Sequence, residues 1–342
     1  MRVLVTGHKG YIGTALIPIL LNQGYEVLGL DSDLYRRCTY GEDFIHVPEI
    51  IKDIRDIKTD DLKGKGLDAV IHLAALSNDL LGDLNPQHTL DINWGATIKI
   101  AKIAKRVGIK RFLFSSSCSM YGAAGDNILD ESAGFNPVTH YAISKVNSER
   151  DLNNLADESF SPTYLRNATA YGFSPRIRFD LVVNNLTAWA YTTGKIMMKS
   201  DGTPWRPLVH IEDISRAFLI LLNAPREKVH NQAYNIGTNS ENYKVKEVAK
   251  FVGDTVPNCK VSFANGASPD LRNYRVKFDK FHNAFPTADF QWTVPKGVVQ
   301  MYEEYKRIGL DVNDYEGIQY KRIAHIKHLL ANYELDDSLR WK

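Results

Sequence analysis

Short apolar runs alternate, along the first half of the chain, with longer stretches in which apolar residues recur every three or four positions. Short runs bounded by turn residues are typical of buried strands, and the longer repeat is typical of amphipathic helices. Strands are predicted at residues 3–5, 25–30, 44–47, 68–73 and 111–114. This alternation predicts an α/β fold with a doubly wound parallel sheet of the Rossmann type.

The regular alternation ends after Gly172. Beyond it the pattern predicts a helix from residues 178–185, strands at 195–199 and 205–210, and a helix at 214–222. We expect this last helix to return to the sheet. The amphipathic tail from residue 294 onward is expected to cover the second half of the molecule or to contact another subunit.

Composition and charge narrow the class of protein. Of the 342 residues, 44% are hydrophobic and 24% charged, as in globular proteins, and the net charge of +2 provides no basic stripe for a nucleic acid. Cys38, Cys118 and Cys259 are too widely spaced for a zinc site or a disulfide framework. No apolar run approaches the ~18 residues of a membrane span, and the strand pattern at residues 1–6 leaves no room for a signal peptide. We therefore expect a soluble, cytoplasmic protein without a metal.

Gly7, Gly10 and Gly13 follow the first strand in the segment TGHKGYIG. A strand, a glycine-rich turn and a helix form a site in which backbone N–H groups bind a pyrophosphate. Glycine is needed there because a side chain would block the approach of the ligand or require an unfavourable φ. The segment predicts a dinucleotide site that includes Tyr11 and Ile12.

Asp31 ends the second strand, some twenty residues beyond the glycine turn. A carboxylate at that position accepts hydrogen bonds from ribose hydroxyls and repels a 2′-phosphate, which favours NAD over NADP. Arg36 and Arg37 follow closely and leave NADP open. A helix cap or a turn is the alternative role for the aspartate.

Three further segments supply candidate contacts for the adenosine and the nicotinamide. Asp53 and Ile54, in KDIRD, could hold the adenine or form a solvated turn. Small residues in HLAALS would let a cofactor lie across the end of the fourth strand. Asn93 could cap a helix or support the site.

The segment Tyr141-Ala-Ile-Ser-Lys145 places a phenol and an ammonium on one face of a helix. A phenol has a pKa near ~10, and a cation ~4 Å away favours the phenolate by ~4 kcal/mol at an effective dielectric near 20. Tyr141 could therefore act as a base near neutral pH, although YxxxK alone also fits an ordinary amphipathic helix. The fifth strand delivers Ser115 and Ser117 to the same edge of the sheet, which completes a Ser–Tyr–Lys set.

These segments occur in one order: TGHKGYIG, DS, KDIRD, HLAALS, FSSSCSMYG, NPVTHYAISK, LRNATAYG and RPLVHIEDISRA. In that order, over residues 1 to about 222, the chain resembles an extended short-chain dehydrogenase/reductase. This group contains UDP-galactose 4-epimerase, nucleotide-sugar dehydratases, ketoreductases and decarboxylases. The resemblance implies an NAD-binding Rossmann domain at residues 1–172, rejoined by 208–224. It also implies a smaller C-terminal substrate-binding lobe with a helical tail at residues 173–207 and 225–342, and we expect a homodimer.

The resemblance also implies roles for individual residues. Tyr141 would be the catalytic acid/base, Lys145 its partner and the ligand of the nicotinamide ribose, and Ser117 the hydroxyl that orients a sugar. The implied cofactor contacts are Gly7, Gly10, Tyr11, Ile12, Gly13, Asp31, Asp53, Ile54, Leu73, Ala74, Ala75, Asn93, Ser115, Tyr141 and Lys145.

The implied substrate is a nucleotide-diphosphate sugar. Arg206 matches the arginine that grips the diphosphate, for which its planar fork of donors is suited, although a surface ion pair is the alternative. Asp270 resembles a residue of a late nucleotide-contacting segment, and Ala267 replaces the arginine expected three residues earlier. The full set of implied substrate contacts is Ser117, Ser119, Thr169, Asn184, Asn185, Arg206, Asp270, Arg272 and Arg275.

Two departures from the family pattern bear on the reaction. The dehydratases have Asp-Glu directly after the active-site hydroxyl residue, where this chain has Cys118-Ser119, which disfavours elimination of water. Cys118 could be an unusual acid/base or a small packing residue. The second departure is Thr169, which replaces the asparagine of the family pattern.

We expect an NAD-dependent nucleotide-sugar epimerase that removes hydride at C4, with a 4-dehydrogenase or 4-ketoreductase as the alternative. A 4,6-dehydratase, a decarboxylase, a small-alcohol dehydrogenase and a non-catalytic dinucleotide-binding protein are further possibilities.

Overall fold

A computed structural model describes residues 1–77, 85–122, 127–198, 200–263 and 273–342. Its strands are Arg2–Thr6 (β1), Glu26–Asp31 (β2), Glu49–Ile51 (β3), Ala69–His72 (β4), Arg111–Ser117 (β5), Ile128–Leu129 (β6), Ser161–Asn167 (β7), Thr169–Tyr171 (β8), Lys195–Met198 (β9), Trp205–His210 (β10), Gln232–Ile236 (β11), Asn242–Lys244 (β12), Lys260–Phe263 (β13) and Arg275–Val276 (β14).

The α-helices among the described residues are Tyr11–Asn22 (α1), Thr59–Leu62 (α2), Pro86–Leu90 (α3), Ala96–Arg106 (α4), His140–Asn153 (α5), Val182–Thr193 (α6), Ile211–Asn223 (α7), Arg226–Val229 (α8), Val245–Thr255 (α9), Asp279–Ala284 (α10), Val294–Ile308 (α11), Val312–Glu316 (α12) and Arg322–Ala331 (α13). None of them is both long enough and apolar enough to cross a membrane.

Seven strands form one parallel sheet in the order β3-β2-β1-β4-β5-β7-β11. The chain starts in the middle of the sheet, builds outward to β3 and then crosses to the other side, which confirms the predicted doubly wound topology. Because all seven strands run in the same direction, their carboxyl ends meet at one edge. That edge carries Thr6, Asp31, His72, Ser117 and Asn167.

Two sequence-based assignments differ from the structure. The predicted strand at residues 44–47 is irregular, and the strand is instead Glu49–Ile51, which pairs with Gly29–Asp31. Strand β11, which fell in the range assigned to the lobe, pairs in parallel with β7 and extends the main sheet. Its apolar residues pack on the sheet's core, so its pattern is that of a buried edge strand rather than of a separate lobe.

Apolar clusters cover both faces of the sheet. On one face α1 and α7 pack around Leu16 and Phe218, and on the other α4 packs through Ile100. Residues from β4 and β5 alternate between the two clusters, as the two-residue period of a strand requires. A third cluster, which includes Val183 and Met301, joins α6 and α11.

The parts of the chain outside the main sheet are built around β10. This strand lies between β8, in parallel, and β12, antiparallel. Strand β14 pairs with β6 near it. Helix α7 begins directly after β10 and returns to the main sheet, where Leu221 and Leu222 are fully buried.

A buried ion pair joins α5 to β7 beneath the carboxyl edge. The Arg166 guanidinium donates to both oxygens of Glu149, at 2.7 to 3.2 Å, and both side chains are under 10% exposed. Ser116 Oγ also donates to the Glu149 carboxylate, at 2.6 Å. The fully hydrogen-bonded pair fixes α5, the helix that carries Tyr141 and Lys145, against the centre of the sheet.

Replacement of Glu149 by Gln should lower the free energy of unfolding by about 3–5 kcal/mol, because it leaves the Arg166 charge buried without a counter-charge. Urea denaturation of the two chains measures the difference. Glu42→Gln, which removes a solvent-exposed partner of Arg307, is the matched control and should have little effect. Equal losses for the two variants would contradict this role of the ion pair.

Candidate functional site

The glycine turn presents the start of α1 to the carboxyl edge of the sheet. Gly7 has φ +71°, and a Cβ at this position would lie 2.7 Å from the backbone nitrogen of Ala74. Helix α1 begins at Tyr11 after Gly10, which provides no side-chain cap. The first N–H groups of the helix have no carbonyl acceptor within the helix, and they face the carboxyl edge of the sheet. Such free N–H groups are suited to bind a pyrophosphate.

Asp31 lies beside this turn at the end of β2. Its carboxylate accepts from the backbone N–H groups of Lys9, at 3.0 Å, and Asp33, at 2.8 Å. Burial raises the pKa of Asp31, and these two N–H donors act in the opposite direction. Each carboxylate oxygen uses one acceptor position in these bonds and keeps another for a ribose hydroxyl. Asp31 therefore fits the predicted role of a ribose ligand. It also stabilises a local turn, which was the alternative role.

Asp53 and Ile54 lie on the turn that follows β3. The Asp53 carboxylate accepts from the backbone N–H, Nε and a terminal nitrogen of Arg55, at 2.6 to 2.9 Å, and so caps the short helical turn Ile54–Asp56. Ile54 is buried in the same core cluster as Leu30. Both oxygens of the Asp53 carboxylate thus bind Arg55, which is the predicted alternative of a turn.

A buried chain of hydrogen bonds positions the end of β4. Thr97 Oγ1 donates to the carbonyl of Asn93, so it accepts from His72 Nε2, and His72 Nδ1 in turn accepts from Thr6 Oγ1. Burial lowers the pKa of His72 to about 3, so the imidazole is neutral, as this chain requires. Thr6 Oγ1 finally accepts from the backbone N–H of Ala74, at 3.3 Å.

Asn93 supports the next residues of the same segment. Its side-chain oxygen accepts from the N–H of Leu76, at 2.8 Å, and its side-chain nitrogen donates to the Leu76 carbonyl, at 3.0 Å. It lies in a single π-helical turn, Asp91–Gly95, between α3 and α4. Asn93 could cap a helix or support the site, and these contacts fit the second role. Leu73, Ala74 and Ala75 are held between the glycine turn and this brace.

Tyr141 and Lys145 lie one turn apart on α5, with the Lys145 nitrogen 5.5 Å from the centre of the Tyr141 ring. Lys145 Nζ donates to the carbonyl of Ser115, at 2.6 Å, and also lies 4.6 Å from the ring centre of Phe114. The side chain is only 3% exposed. The end of β5 and the face of α5 therefore meet at the lysine, as the sequence predicted.

Burial gives Lys145 an unusual ionisation. Loss of hydration lowers the pKa of its ammonium to about 7, and the charge of Glu149 one turn further along α5 limits this decrease. Near neutral pH the lysine can thus gain or lose a proton at low cost. A group of this kind beside a phenol can share its proton with it.

Three serines lie around the end of β5. Ser115 Oγ accepts from the side-chain nitrogen of Asn167, at 3.1 Å, and Ser117 Oγ accepts from the N–H of Ser119, at 3.1 Å. The buried Ser119 Oγ and Asn167 Oδ1 have no hydrogen-bond partner among the described residues. Asn167 ends β7 opposite Ser117 and was not singled out from the sequence, although it stands in the recognised segment LRNATAYG. Orphaned polar atoms at this edge fit a site for a polar ligand.

Cys118 points away from this group. Its fully buried thiol donates to the carbonyl of Arg166, at 3.0 Å, and burial raises its pKa well above the usual range. A thiol of this kind is a packing residue and is poorly suited to acid/base chemistry. The packing interpretation of Cys118 is the one that the structure supports.

Asn184 and Asn185 use both of their side-chain N–H groups within the protein. Asn184 donates to Tyr11 Oη and the carbonyl of Arg178, and Asn185 donates to the carbonyl of Phe179 and to Tyr315 Oη. The predicted donation to a diphosphate would require these bonds to break. Both residues instead fix the start of α6 to the glycine turn and the tail.

Of the remaining substrate candidates, Thr169 and Arg206 lie on the sheet around β10, and Arg275 lies on the nearby strand β14. Thr169 begins β8 opposite Leu208. Arg206, 7% exposed, donates to the carbonyl of Trp205, and the Arg275 guanidinium lies 4.8 Å from the Trp205 ring centre. Arg206 is thus held at the backbone of β10, and Arg275 at the ring of Trp205. Asp270 and Arg272 fall outside the described residues.

Arg178 is a further residue of the site, although the sequence pattern marked it only as the start of a helix. Its guanidinium donates to Ser77 Oγ, at 3.1 Å, and to the Asp180 carboxylate, at 2.6 and 3.2 Å. Burial alone lowers the pKa of Arg178, but Asp180 and, more weakly, the phenol of Tyr141 raise it overall. A second cation thus acts on Tyr141, and its position could be found only from the structure, because irregular chain separates it from the recognised segments.

Among the described residues, no three His, Cys, Asp or Glu side chains are grouped closely enough to bind a metal ion. The arrangement is instead a phenol beside the Lys145 amino group, on which the charge of Arg178 also acts, at an edge that also holds an uncapped helix N-terminus and a carboxylate suited to a ribose. Chemically, it can bind a dinucleotide and move a proton.

The sequence matches the family described as the NAD dependent epimerase/dehydratase family over residues 3–237. The UDP-glucose 4-epimerase of Bacillus subtilis is 28% identical over 277 residues, which cover 73% of this chain and 80% of that protein. The human dTDP-D-glucose 4,6-dehydratase is 24% identical over 321 residues, which cover 89% of this chain and 90% of that protein.

Solved structures give the same picture. The structure of MoeE5 in complex with UDP-glucose and NAD is 26% identical in sequence and superposes with a TM-score of 0.75, covering 90% of this chain and 99% of that one. Relatives with different reactions are thus similar to this chain at comparable identity.

The buried Lys145 should make the stability of the protein depend on pH. Its pKa is about 7 in the folded chain and near ~10.4 in the unfolded chain, so between these values the unfolded chain binds one more proton. The free energy of unfolding should then rise through this window by about 1.4 kcal/mol per pH unit relative to Lys145→Met. Urea denaturation at several pH values measures the difference. The exposed Lys110→Met control should follow the wild-type curve, and a wild-type curve parallel to that of Lys145→Met would contradict the assignment.

Proposed function

The chain belongs to the NAD-dependent epimerase/dehydratase family, and from this premise we propose that it is an NAD-dependent nucleotide-sugar epimerase that acts at C4 with Tyr141 as its acid/base. The observation that carries the proposal is the Tyr141–Lys145 pair at the carboxyl edge of the sheet, where no carboxylate follows Ser117. The first half of that observation supports hydride chemistry, and the second supports epimerisation over elimination.

The residues present at the edge fit a dinucleotide. The uncapped start of α1 would take the pyrophosphate, Asp31 the adenosine ribose and Lys145 the nicotinamide ribose. When bound, NAD supplies an acceptor for hydride, which no side chain can provide. Asp31 favours NAD because a 2′-phosphate would meet its negative charge.

The protein's own part of the reaction is the movement of one proton. Tyr141, as phenolate, accepts the proton of a sugar hydroxyl while hydride leaves the same carbon, and it returns that proton when hydride is delivered to the opposite face. Lys145 and Arg178 stabilise the phenolate by their charge. No net oxidation results, because the electron pair that leaves the sugar comes back to it.

The residues after Ser117 support epimerisation over dehydration. Elimination of water needs an acid and a base near the leaving hydroxyl, and Cys118 is buried with its thiol bound to the Arg166 carbonyl. Ser119 offers a hydroxyl but no carboxylate. The Glu149 carboxylate beneath is committed to Arg166 and Ser116.

The substrate proposed is a nucleotide-diphosphate sugar. Arg206, on β10, and Arg275, whose guanidinium lies over the Trp205 ring, are the cationic donors that we propose for a diphosphate. MoeE5 has been solved with UDP-glucose, and the Bacillus subtilis relative is a UDP-glucose 4-epimerase. A UDP-hexose is therefore the first substrate to test.

Incubation of the purified protein with a panel of nucleotide sugars, without added cofactor, tests the reaction type. An epimerase converts one sugar into its C4 epimer with cofactor that it retains, and reduced nicotinamide does not accumulate. Stoichiometric accumulation or consumption of reduced nicotinamide would identify a 4-dehydrogenase or 4-ketoreductase instead. Loss of water from the sugar would identify a dehydratase.

Tyr141→Phe should lower kcat by about 10²- to 10⁴-fold, the usual contribution of a positioned acid/base, and should change the affinity for NAD far less than it changes kcat. Steady-state rates and NAD titration measure the two effects. Tyr25 directly precedes β2 and so lies at the opposite edge of the sheet, where its phenol donates to Asn223. Tyr25→Phe removes this phenol and should retain full activity. A Tyr141→Phe protein as active as the parent would refute the proposed role.

A further inference from the structure

The last part of the chain lies on the loop that follows Asp31. We call residues 319–342 the C-terminal strap and residues 32–41 the ribose loop. Gln319 donates to the carbonyl of Arg37, at 2.7 Å, and the Arg322 guanidinium lies 3.6 Å from the centre of the Tyr35 ring. The strap therefore contacts the cofactor-binding half of the molecule, whereas the sequence analysis expected the tail to cover the lobe or to contact another subunit.

The end of the strap contacts the residues next to Asp31. Trp341 Nε1 donates to the carbonyl of Ser32, at 2.8 Å, and its ring lies 3.7 Å from the guanidinium carbon of Arg36. Glu334 forms an ion pair with Arg37 at 2.5 Å. The two arginines that left NADP open are thus both held by the strap.

Arg36 borders the space beside the ribose carboxylate. A cavity of about 420 Å³ is lined by Arg36 together with Lys9 and Asp33. The backbone N–H groups of Lys9 and Asp33 are the two that bind the Asp31 carboxylate. A phosphate on the 2′-hydroxyl of a ribose held by Asp31 would therefore come close to this cavity.

The other cations of this region are already neutralised. Lys9 Nζ forms ion pairs with Asp33, at 3.0 Å, and with Glu49, at 2.8 Å, and Arg176 pairs with Asp33 at 3.3 Å. Arg36, in contrast, forms no ion pair with any residue that the structure describes and is held by the Trp341 ring.

We propose that Trp341 is a cofactor-specificity residue, because it holds Arg36 against its ring and withholds from the cofactor the cation best placed to neutralise a 2′-phosphate. Discrimination between NAD and NADP then has two parts, repulsion by Asp31 and sequestration of Arg36. The inference rests on the proposed binding of NAD at Asp31, and it extends the site to a tryptophan 310 positions further along the chain.

The test compares the affinities of the full-length protein, freed of bound nucleotide, for NAD and for NADP by isothermal titration. In Trp341→Ala the affinity for NADP relative to NAD should rise about two- to fivefold, because Arg36, which is exposed to solvent, no longer gives up a stacking interaction to reach the phosphate. Trp341→Phe keeps an aromatic ring under Arg36 and should retain the wild-type ratio. The double variant Trp341→Ala/Arg36→Ala should lose the gain.

A ratio in Trp341→Ala within twofold of wild type would overturn the proposal, as would a gain that persists in the double variant. Trp341→Leu, which retains an apolar side chain in the core cluster, replaces the alanine variant if that chain does not fold. Failure of the proposed function is distinguishable: a wild-type protein that binds neither nucleotide overturns both inferences. A wild-type protein that binds NAD, with variants of unchanged ratio, overturns only this one.

Discussion

The site depends on one buried amino group. Lys145 is placed by its hydrogen bond to the Ser115 carbonyl, and the charge of Glu149, one turn further along α5, limits the decrease in pKa that burial causes. Glu149 in turn is held by Arg166 and Ser116. Burial makes the ammonium easy to deprotonate and also strengthens its influence on Tyr141, because little water screens the two groups.

The parallel sheet explains why these groups meet. Each functional segment follows a strand and is delivered to the same edge, and the segments are then tied to one another by polar contacts. The His72 chain joins β1, β4 and α4, and Asn184 joins the glycine turn to α6. These residues have no contact with substrate in the proposed reaction. They hold in register the backbone that binds it.

The sequence predicted the topology of the sheet and the meeting of Tyr141, Lys145 and Ser115, because strand order and helical period determine which residues share an edge or a face. It misplaced the third strand, since the apolar residues at 44–47 lie in an irregular loop that leaves Ile45 exposed. It could not show that the amides of Asn184 and Asn185 are used internally, because hydrogen-bond partners more than a hundred residues away leave no local pattern. The strap escaped prediction for the same reason.

The most direct measurement of the central claim is the ionisation of Tyr141 itself. The ultraviolet difference spectrum between wild type and Tyr141→Phe, followed against pH with NAD bound, isolates one phenol among the 17 tyrosines. We predict that this phenol ionises below the ordinary value near ~10, and that Lys145→Met reduces the decrease, while Arg178 remains to act on the ring. A Tyr141 phenol that ionises at or above its ordinary pKa in the NAD-bound protein would contradict the claim.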